Sequence, residues 1–202
     1  MATIAELSPG FADKVLSAQS TFRSVMDAMA RPGSVHRIEP LADIPKPLMS
    51  GAAAMALTLF DHDTTIWLDG DMTESRAVAK WIKFHTSAPV VLDSGISNFA
   101  LVSEPLALPA LDCFAFGSND YPDRSTTVIM QVRSLTEGPA LTLSGPGIDG
   151  EATLRATLQT LDLPDLLSIN ASLFPRGIDL VLVAGSSIVA IPRTTRLAAK
   201  QG

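Results

Sequence analysis

The sequence predicts a single α/β domain over residues 1–202, a three-layer arrangement with helices on both faces of a mixed β-sheet. Segments in which apolar residues recur every three or four positions alternate with short runs rich in Val, Ile and Leu. Alternation of this kind is typical of helices layered on a sheet. A chain of 202 residues with 47% apolar content can also bury one substantial core.

The first helix is predicted over residues 11–29, where apolar residues at spacings of three and four define one face. These residues are Phe11, Val15, Ala18, Phe22, Val25, Met26 and Met29. We expect this face to lie in the core or at an interface, and Arg31-Pro32-Gly33 to end the helix. A short strand at residues 35–38 and a proline-rich loop follow.

Residues 48–60 are rich in Ala, Leu and Met and predict a mostly buried helix, in which Gly51 lets a neighbouring element approach closely. The following Asp61-His62-Asp63 could be a metal site or a solvated turn. Adjacent turn residues seldom point the same way, and no second histidine or carboxylate stands at a recognisable ligand spacing, so we expect the turn. Residues 64–68 are the next predicted strand.

Asp71 and Glu74 resemble a capping pair, which predicts a helix from there to about Phe84. Short strands are expected at residues 89–92, as a buried strand, and 99–102.

Further strands are predicted at residues 113–116, 126–132 and 141–143 because these runs are apolar or β-branched. Two helices are then expected, one of modest amphipathicity over residues 151–161 and one that Pro164 opens.

The strongest fold signal lies in residues 174–196, which predict a β-hairpin. Residues 178–183 form a nearly continuous apolar run, as expected of a strand covered on both faces, and residues 188–191 form a shorter one. Gly185-Ser186-Ser187 provides a turn between them.

A three-residue turn would pair Ala184 with Ile188, and counting outward brings Arg176 level with Arg196. Arg193 falls one pairing step inside them. We therefore expect three arginines to converge at one end of the sheet.

Converging guanidinium groups suit a bidentate phosphate or carboxylate partner. A glycine-rich turn at residues 144–148 could add backbone N–H groups for an anion, although Pro146 removes one donor. The predicted site for phosphate or a nucleotide comprises Arg124, Arg176, Arg193, Arg196, Gly145 and Gly147. The alternative is structural, in which the arginines pair with acidic groups of this chain or of a neighbouring subunit.

Composition narrows the class of protein. The net charge of −6 argues against a nucleic-acid partner. A single cysteine, Cys113, leaves no thiolate set for zinc or an iron–sulfur cluster, and we expect it to be buried. No apolar run is long enough for a membrane span and the first ten residues lack a signal-peptide pattern, so we expect a cytoplasmic protein.

No nucleophile, base and orienting group form a set that would predict catalysis by this chain. Ser125, Ser144 and Ser186 lack an evident histidine partner. We therefore predict no catalytic residues, no metal and no cofactor.

Five segments, in the same order and covering essentially the whole chain, resemble the PhnH family of the bacterial carbon–phosphorus lyase system. They are FRSVMDAMARPGS (22–34), WIKFHTSAP (81–89), YPDRSTT (121–127), SGPGI (144–148) and FPRGIDLVLVAGSSIVAIPRTTR (174–196).

This resemblance implies a subunit of a complex that transfers the ribose triphosphate of ATP onto methylphosphonate, forming ribose 1-methylphosphonate 5-triphosphate. It also implies a fold similar to the large domain of pyridoxal-phosphate-dependent transferases without the cofactor. In keeping with this, none of the five lysines follows a strand where a Schiff base would be expected.

The expected partners are a second copy of the chain and the other core subunits, with possible contact to ATP or a phosphonate. We expect a required but non-catalytic subunit. The alternative is a standalone homodimeric enzyme that binds a nucleotide or phosphate through its arginines.

Overall fold

The computed structural model describes residues 10–199. Two predictions from the sequence concern residues outside this range: the lack of a signal-peptide pattern in the N-terminal segment, and the lack of a Schiff-base role for Lys200. The helices are α1 (Lys14–Ala30), α2 (Ser50–Leu59), α3 (Gly70–Glu74), α4 (Ala77–Thr86) and α5 (Leu163–Ser172). The strands are β1 (His36–Arg37), β2 (Ile66–Leu68), β3 (Val90–Val91), β4 (Phe99–Val102), β5 (Thr127–Gln131), β6 (Ala140–Ser144), β7 (Ala152–Arg155), β8 (Asp179–Ala184), β9 (Ser187–Ile191) and β10 (Arg196–Ala199).

The main sheet has seven strands in the order β1-β9-β8-β5-β4-β2-β3. The five strands from β8 to β3 run parallel, whereas β9 runs antiparallel to both of its neighbours. A separate antiparallel sheet has the order β10-β6-β7. The prediction of an α/β fold with a mixed sheet and helices is therefore confirmed.

Two buried apolar clusters lie on opposite faces of the main sheet. In β5, Ile129 belongs to one cluster and its neighbours Val128 and Met130 to the other, as the alternation of a strand requires. The first cluster includes residues of α1 to α4, and the second includes residues of α5 and the small sheet. Helices thus cover one face, while α5 and the small sheet share the other. The extent of a single domain over residues 1–202 stays a prediction.

The hairpin is confirmed as β8 and β9, but its turn is one residue shorter than expected. Ala184 pairs with Ser187, so Gly185 and Ser186 alone form the turn. The expected pairing of Arg176 with Arg196 is wrong for a second reason as well. Strand β9 ends at Ile191, and Arg196 begins β10 in the other sheet.

Helix α2 is confirmed, and so is the close approach at its first turn. The amide of Gly51 donates to the carbonyl of Gly185 at 2.7 Å, and a Cβ atom on Gly51 would lie 2.9 Å from Cγ1 of Val183. The Asp61-His62-Asp63 segment is an exposed turn in which Asp61 accepts bonds from the next residues' amides.

Two expected elements are wrong in type. Residues 152–155 form strand β7 rather than part of a helix, because they pair with β6 and bury Leu154. The expected strand at residues 113–116 is replaced by a 3-10 turn, Leu111–Cys113, and Cys113 is exposed rather than buried. In β7, pairing with β6 outweighs local helix preference, whereas residues 111–113 are held by local bonds, from the amide of Cys113 to the carbonyl of Ala110 and from that of Phe114 to that of Leu111.

Three boundary details also differ. The helix expected from Asp71 to Phe84 is divided, because Arg76 adopts a left-handed backbone conformation between α3 and α4. Asp69, not Asp71, caps α3. The strand expected to be buried at residues 89–92 is the edge strand β3, and Leu92 beyond it is 92% exposed.

Helix α1 buries a different face from the one that its apolar residues predict. Its buried residues are Ser17, Thr21, Val25 and Ala28, and Met29 is partly buried. Val15, Phe22 and Met26 are exposed to solvent. At about 100° per residue these three lie within about 40° of one another on the opposite side of the helix. Three of the seven residues of the apolar stripe therefore face outward, and the other four are buried or partly buried against the core.

Candidate functional site

The predicted arginine site lies at the edge of the main sheet where parallel strands β5 and β8 begin and the antiparallel strand β9 ends. Arg193 follows β9 by two residues, and its guanidinium group contacts the backbone carbonyls of Pro122 and Pro175, which precede β5 and β8. Topology therefore brings the chain segments of Arg124, Arg176 and Arg193 to one edge, whereas the hairpin argument predicts Arg176, Arg193 and Arg196 there. Arg196 lies beyond them in the small sheet.

Arg193 is held by an ion pair with Asp179, the first residue of β8. Both carboxylate oxygens of Asp179 accept bonds, Oδ1 from Nε at 3.2 Å and Oδ2 from Nη2 at 2.5 Å. The backbone amide of Arg193 donates to the same Oδ1 at 2.8 Å. The two side chains are 13% and 15% exposed, so the pair is largely removed from water.

The remaining donors of Arg193 are also engaged. Nη1 donates to the carbonyls of Pro122 at 2.7 Å and Pro175 at 3.4 Å, and Nη2 donates to Oγ of Ser125 at 2.5 Å. A guanidinium group has five N–H donors, and these five contacts use all of them. The contacts of Arg193 therefore favour the structural alternative for this arginine, because no donor is left for an anion.

Two of the other predicted arginines point to no common ligand. The guanidinium carbon of Arg124 stacks 4.3 Å from the centre of the Tyr121 ring. Arg176 is exposed, and its side chain makes no hydrogen bond or ion pair with any residue in the range 10–199.

Arg196 lies beside the predicted glycine-rich turn, since β10 pairs with β6 and places Arg196 opposite Ser144. The turn is closed by a bond from the amide of Ile148 to the carbonyl of Gly145 at 3.1 Å. A Cβ on Gly145 would lie 2.9 Å from the carbonyl of Thr194, and one on Gly147 would lie 2.2 Å from the carbonyl of Ala30. Both glycines are therefore required by packing, whether or not an anion binds.

A surface cavity of about 280 Å³ lies between this turn, the end of α5 and the segment that leads into β10. Its lining residues are Pro146, Ala171, Phe174, Arg193, Thr194 and Arg196. The structure thus brings together two of the four predicted arginines with the predicted turn. Phe174 and Thr194 were missed by the sequence analysis, because no local pattern distinguishes them from ordinary loop residues.

The opposite edge of the main sheet carries a second polar cluster. In open α/β sheets, ligands commonly bind where the strand order reverses, at the carboxyl ends of the strands. Here the reversal falls between β2 and β4, since β2 connects to β3 on one side and the chain then returns to β4 on the other.

The side chains at this reversal bond to one another and to nearby backbone groups, Asp69 to Ser103 and Gln131 to the backbone. Oδ2 of Asp69 accepts from the amide of Ser103 at 2.6 Å and from its hydroxyl at 2.5 Å, and Oδ1 accepts from the amide of Met72. Gln131 at the end of β5 accepts from the amide of Met49 at 2.5 Å and donates to the carbonyl of Pro47 at 3.0 Å. These buried groups join β2, β4 and β5 to the helices above them.

Another contact missed by the sequence analysis joins Ser34 and His36, with Oγ and Nε2 at 2.8 Å. The same hydroxyl donates to the carbonyl of Arg31 at 2.5 Å, just past the end of α1. Because the hydroxyl of Ser34 donates to a carbonyl just past the end of α1, this pair stabilises the C-terminal end of α1.

Two searches of residues 10–199 bear on other classes of site. No group of three His, Cys, Asp or Glu side chains there could hold a metal ion. No helix in this part of the chain is long and apolar enough to cross a membrane.

The fold and the cavity lined by Arg193 and Arg196 together define an α/β protein with a small basic surface cavity. The sequence model of the family described as "Bacterial phosphonate metabolism protein (PhnH)" matches residues 9–198. The chain is 44% identical over 190 residues, 94% of each chain, to the "Alpha-D-ribose 1-methylphosphonate 5-triphosphate synthase subunit PhnH" of Rhizobium meliloti (strain 1021). It is 31% identical over 187 residues, 89% of this chain and 85% of the relative, to the "Putative C-P lyase subunit protein HtxG" of Stutzerimonas stutzeri. The chain belongs to the PhnH family.

Proposed function

We propose that this protein is a subunit of a complex in phosphonate metabolism that makes α-D-ribose 1-methylphosphonate 5-triphosphate. The observation that carries the proposal is the 44% identity, over 94% of both chains, to a relative named as a subunit of that synthase. The second relative is also named as a subunit, of a C-P lyase. A chain similar to two subunits along most of its length is expected to act within an assembly.

The exposed stripe of α1 supports a docking role. Val15, Phe22 and Met26 present large apolar side chains to solvent, while the buried face of α1 consists of Ser17, Thr21, Val25 and Ala28. Apolar surface arranged along one helix face is typical of a protein interface. Ala18, Gln19, Arg23 and Thr58 line a shallow groove beside Phe22. We propose that this stripe contacts a partner subunit.

The assembly is proposed to contain a homodimer of this chain together with the other core subunits, in the cytoplasm. We also propose that the chain supports the reaction without supplying catalytic residues. The resemblance of its fold to the large domain of pyridoxal-phosphate-dependent transferases stays a prediction.

Co-expression of the tagged chain with the other presumed subunits tests the proposal. Size-exclusion chromatography with light scattering should give a species far larger than a dimer of the 21.3 kDa chain. A chain that elutes alone under these conditions would favour the alternative of a standalone enzyme.

Surface variants then locate the contact. Phe22→Glu and Met26→Glu should reduce co-purification with the partner subunits while leaving the melting temperature unchanged, because both side chains are already about half exposed. Ile169→Glu is the matched control, since Ile169 is equally exposed but lies on α5, on the other face of the main sheet. If the three variants co-purify equally well, the stripe on α1 is not the contact.

A further inference from the structure

We infer that the cavity between the Pro146 turn, the end of α5 and the segment Arg193 to Arg196 binds the phosphate or phosphonate group of a small ligand, with Arg196 as its binding residue. The inference is independent of the subunit role. It also differs from the site predicted from sequence, because it assigns ligand binding to one arginine and a positioning role to another.

Arg196 is the arginine of this cavity that is free to bind an anion. Its side chain is exposed and makes no hydrogen bond or ion pair with any described residue. The guanidinium group of Arg193, in contrast, is neutralised by Asp179 and has all five donors engaged. Arg193 therefore fixes one wall, and Arg196 offers an unused bidentate donor for a tetrahedral oxyanion.

The other walls suit an anion with a small organic group. None of the lining residues is acidic, and Thr194 provides a hydroxyl group. Phe174 is 65% exposed at the same cavity and offers an aromatic face. A cavity of about 280 Å³ is just below the size range of typical ligand pockets, about 300–1,000 Å³. This size favours one phosphate group with a sugar-sized substituent over a complete nucleotide.

The backbone around the cavity is held in place from both sides. Thr195 donates its amide to the carbonyl of Pro192 at 2.8 Å, and Arg196 then pairs with Ser144 in the small sheet. The turn itself is held against the end of α1 at Gly147. Arg196 is therefore presented by a fixed segment, which lowers the entropy cost of binding an anion.

Isothermal titration calorimetry on the full chain tests the inference with inorganic phosphate, ribose 5-phosphate and methylphosphonate, and with acetate as a carboxylate control. We expect saturable binding of at least one phosphorus ligand with a dissociation constant of about 1 mM or below. Preference among the three ligands distinguishes free phosphate, a phosphate ester and a phosphonate. Absence of saturable binding by all three would overturn the inference.

Variants identify the residues. Arg196→Ala should raise the dissociation constant about 10-fold or more, the range for loss of a charge-assisted hydrogen bond. Arg176→Ala is the matched control, because Arg176 is also exposed and without a hydrogen bond or ion pair to the described part of the chain, but does not line the cavity. Phe174→Ala should weaken binding of ribose 5-phosphate more than binding of inorganic phosphate.

Two results would contradict the assignment of Arg196. Equally weakened binding by the Arg196→Ala and Arg176→Ala variants would show that binding depends on general positive charge, and wild-type affinity of Arg196→Ala would show that Arg196 does not bind the ligand. A lower melting temperature of Arg196→Ala with unchanged ligand affinity would show that Arg196 instead stabilises the carboxyl end of α5, as cations at helix ends do.

Discussion

Removal of the Arg193 guanidinium group should destabilise the fold more than loss of any exposed arginine. Arg193→Met keeps much of the apolar stem but leaves the carboxylate of Asp179 largely buried without its partner. Breaking a buried ion pair from one side costs about 3–5 kcal/mol. The slight exposure of the pair favours the lower end, so we expect a loss of about 3 kcal/mol.

Urea denaturation followed by circular dichroism measures this loss. In a domain of this length, 1 kcal/mol corresponds to about 2–4 °C, so the melting temperature should fall by about 6–12 °C. Arg176→Met is the control, and the stability of this variant should stay within about 0.5 kcal/mol of the wild type, because Arg176 is exposed and its side chain makes no hydrogen bond or ion pair with residues 10–199.

A double variant separates the ion pair from the other contacts. Arg193→Met combined with Asp179→Leu leaves neither charge uncompensated, so it should be less destabilised than the sum of the two single variants. If Arg193→Met changes stability by less than about 0.5 kcal/mol, the pair and its three additional contacts do not hold this edge together.

Two further predictions concern the cap of α3 and the contact between Gly147 and α1, neither of which is predicted from the sequence. Asp69→Ala should lower the free energy of unfolding by about 2–4 kcal/mol, since it removes the cap of α3 and the acceptor for Ser103. Asp71→Ala, at the cap position expected from sequence, should lower the free energy of unfolding by less than about 1 kcal/mol. Similar urea midpoints for these two variants would contradict the assignment of the cap. Gly147→Ala should lower the free energy of unfolding by about 2–4 kcal/mol, because its Cβ would meet the carbonyl of Ala30. Gly150 has a similar positive φ but open space around it, so Gly150→Ala should lower the free energy of unfolding by about 1 kcal/mol. Equal losses would show that backbone conformation alone, not the contact with α1, requires glycine at position 147.

The function and much of the fold could be predicted because their signals are local. The order of the five matching segments pointed to the PhnH family, and the comparisons confirm that membership. Apolar runs over β5, β8 and β9 predicted strands correctly, since strands covered on both faces need apolar residues throughout. The dense Ala and Leu content of α2 likewise predicted a buried helix.

The candidate site was predicted only in part, because its geometry depends on residues that are distant along the chain. Arg193 meets Asp179 across the hairpin and Pro122 from 71 positions away, and neither distance is visible in a local pattern. The chain also leaves the main sheet after β9, which separates Arg196 from Arg176 and brings it to the Ser144 turn instead. A register counted along one hairpin cannot foresee this change of sheet.

The class of fold, most of the strands and helices, and the family can be predicted from the sequence, because periodicity and motif order are properties of the chain alone. Tertiary structure decided three matters that involve two segments at once. It made residues 152–155 a strand by pairing them with β6, it turned part of the apolar stripe of α1 outward, and it engaged Arg193 while leaving Arg196 without a hydrogen bond or ion pair to the residues that the structure describes. The pairing of β7 with β6 and the contact of Arg193 with Asp179 each join two separate segments, so the pattern within either segment alone does not predict them.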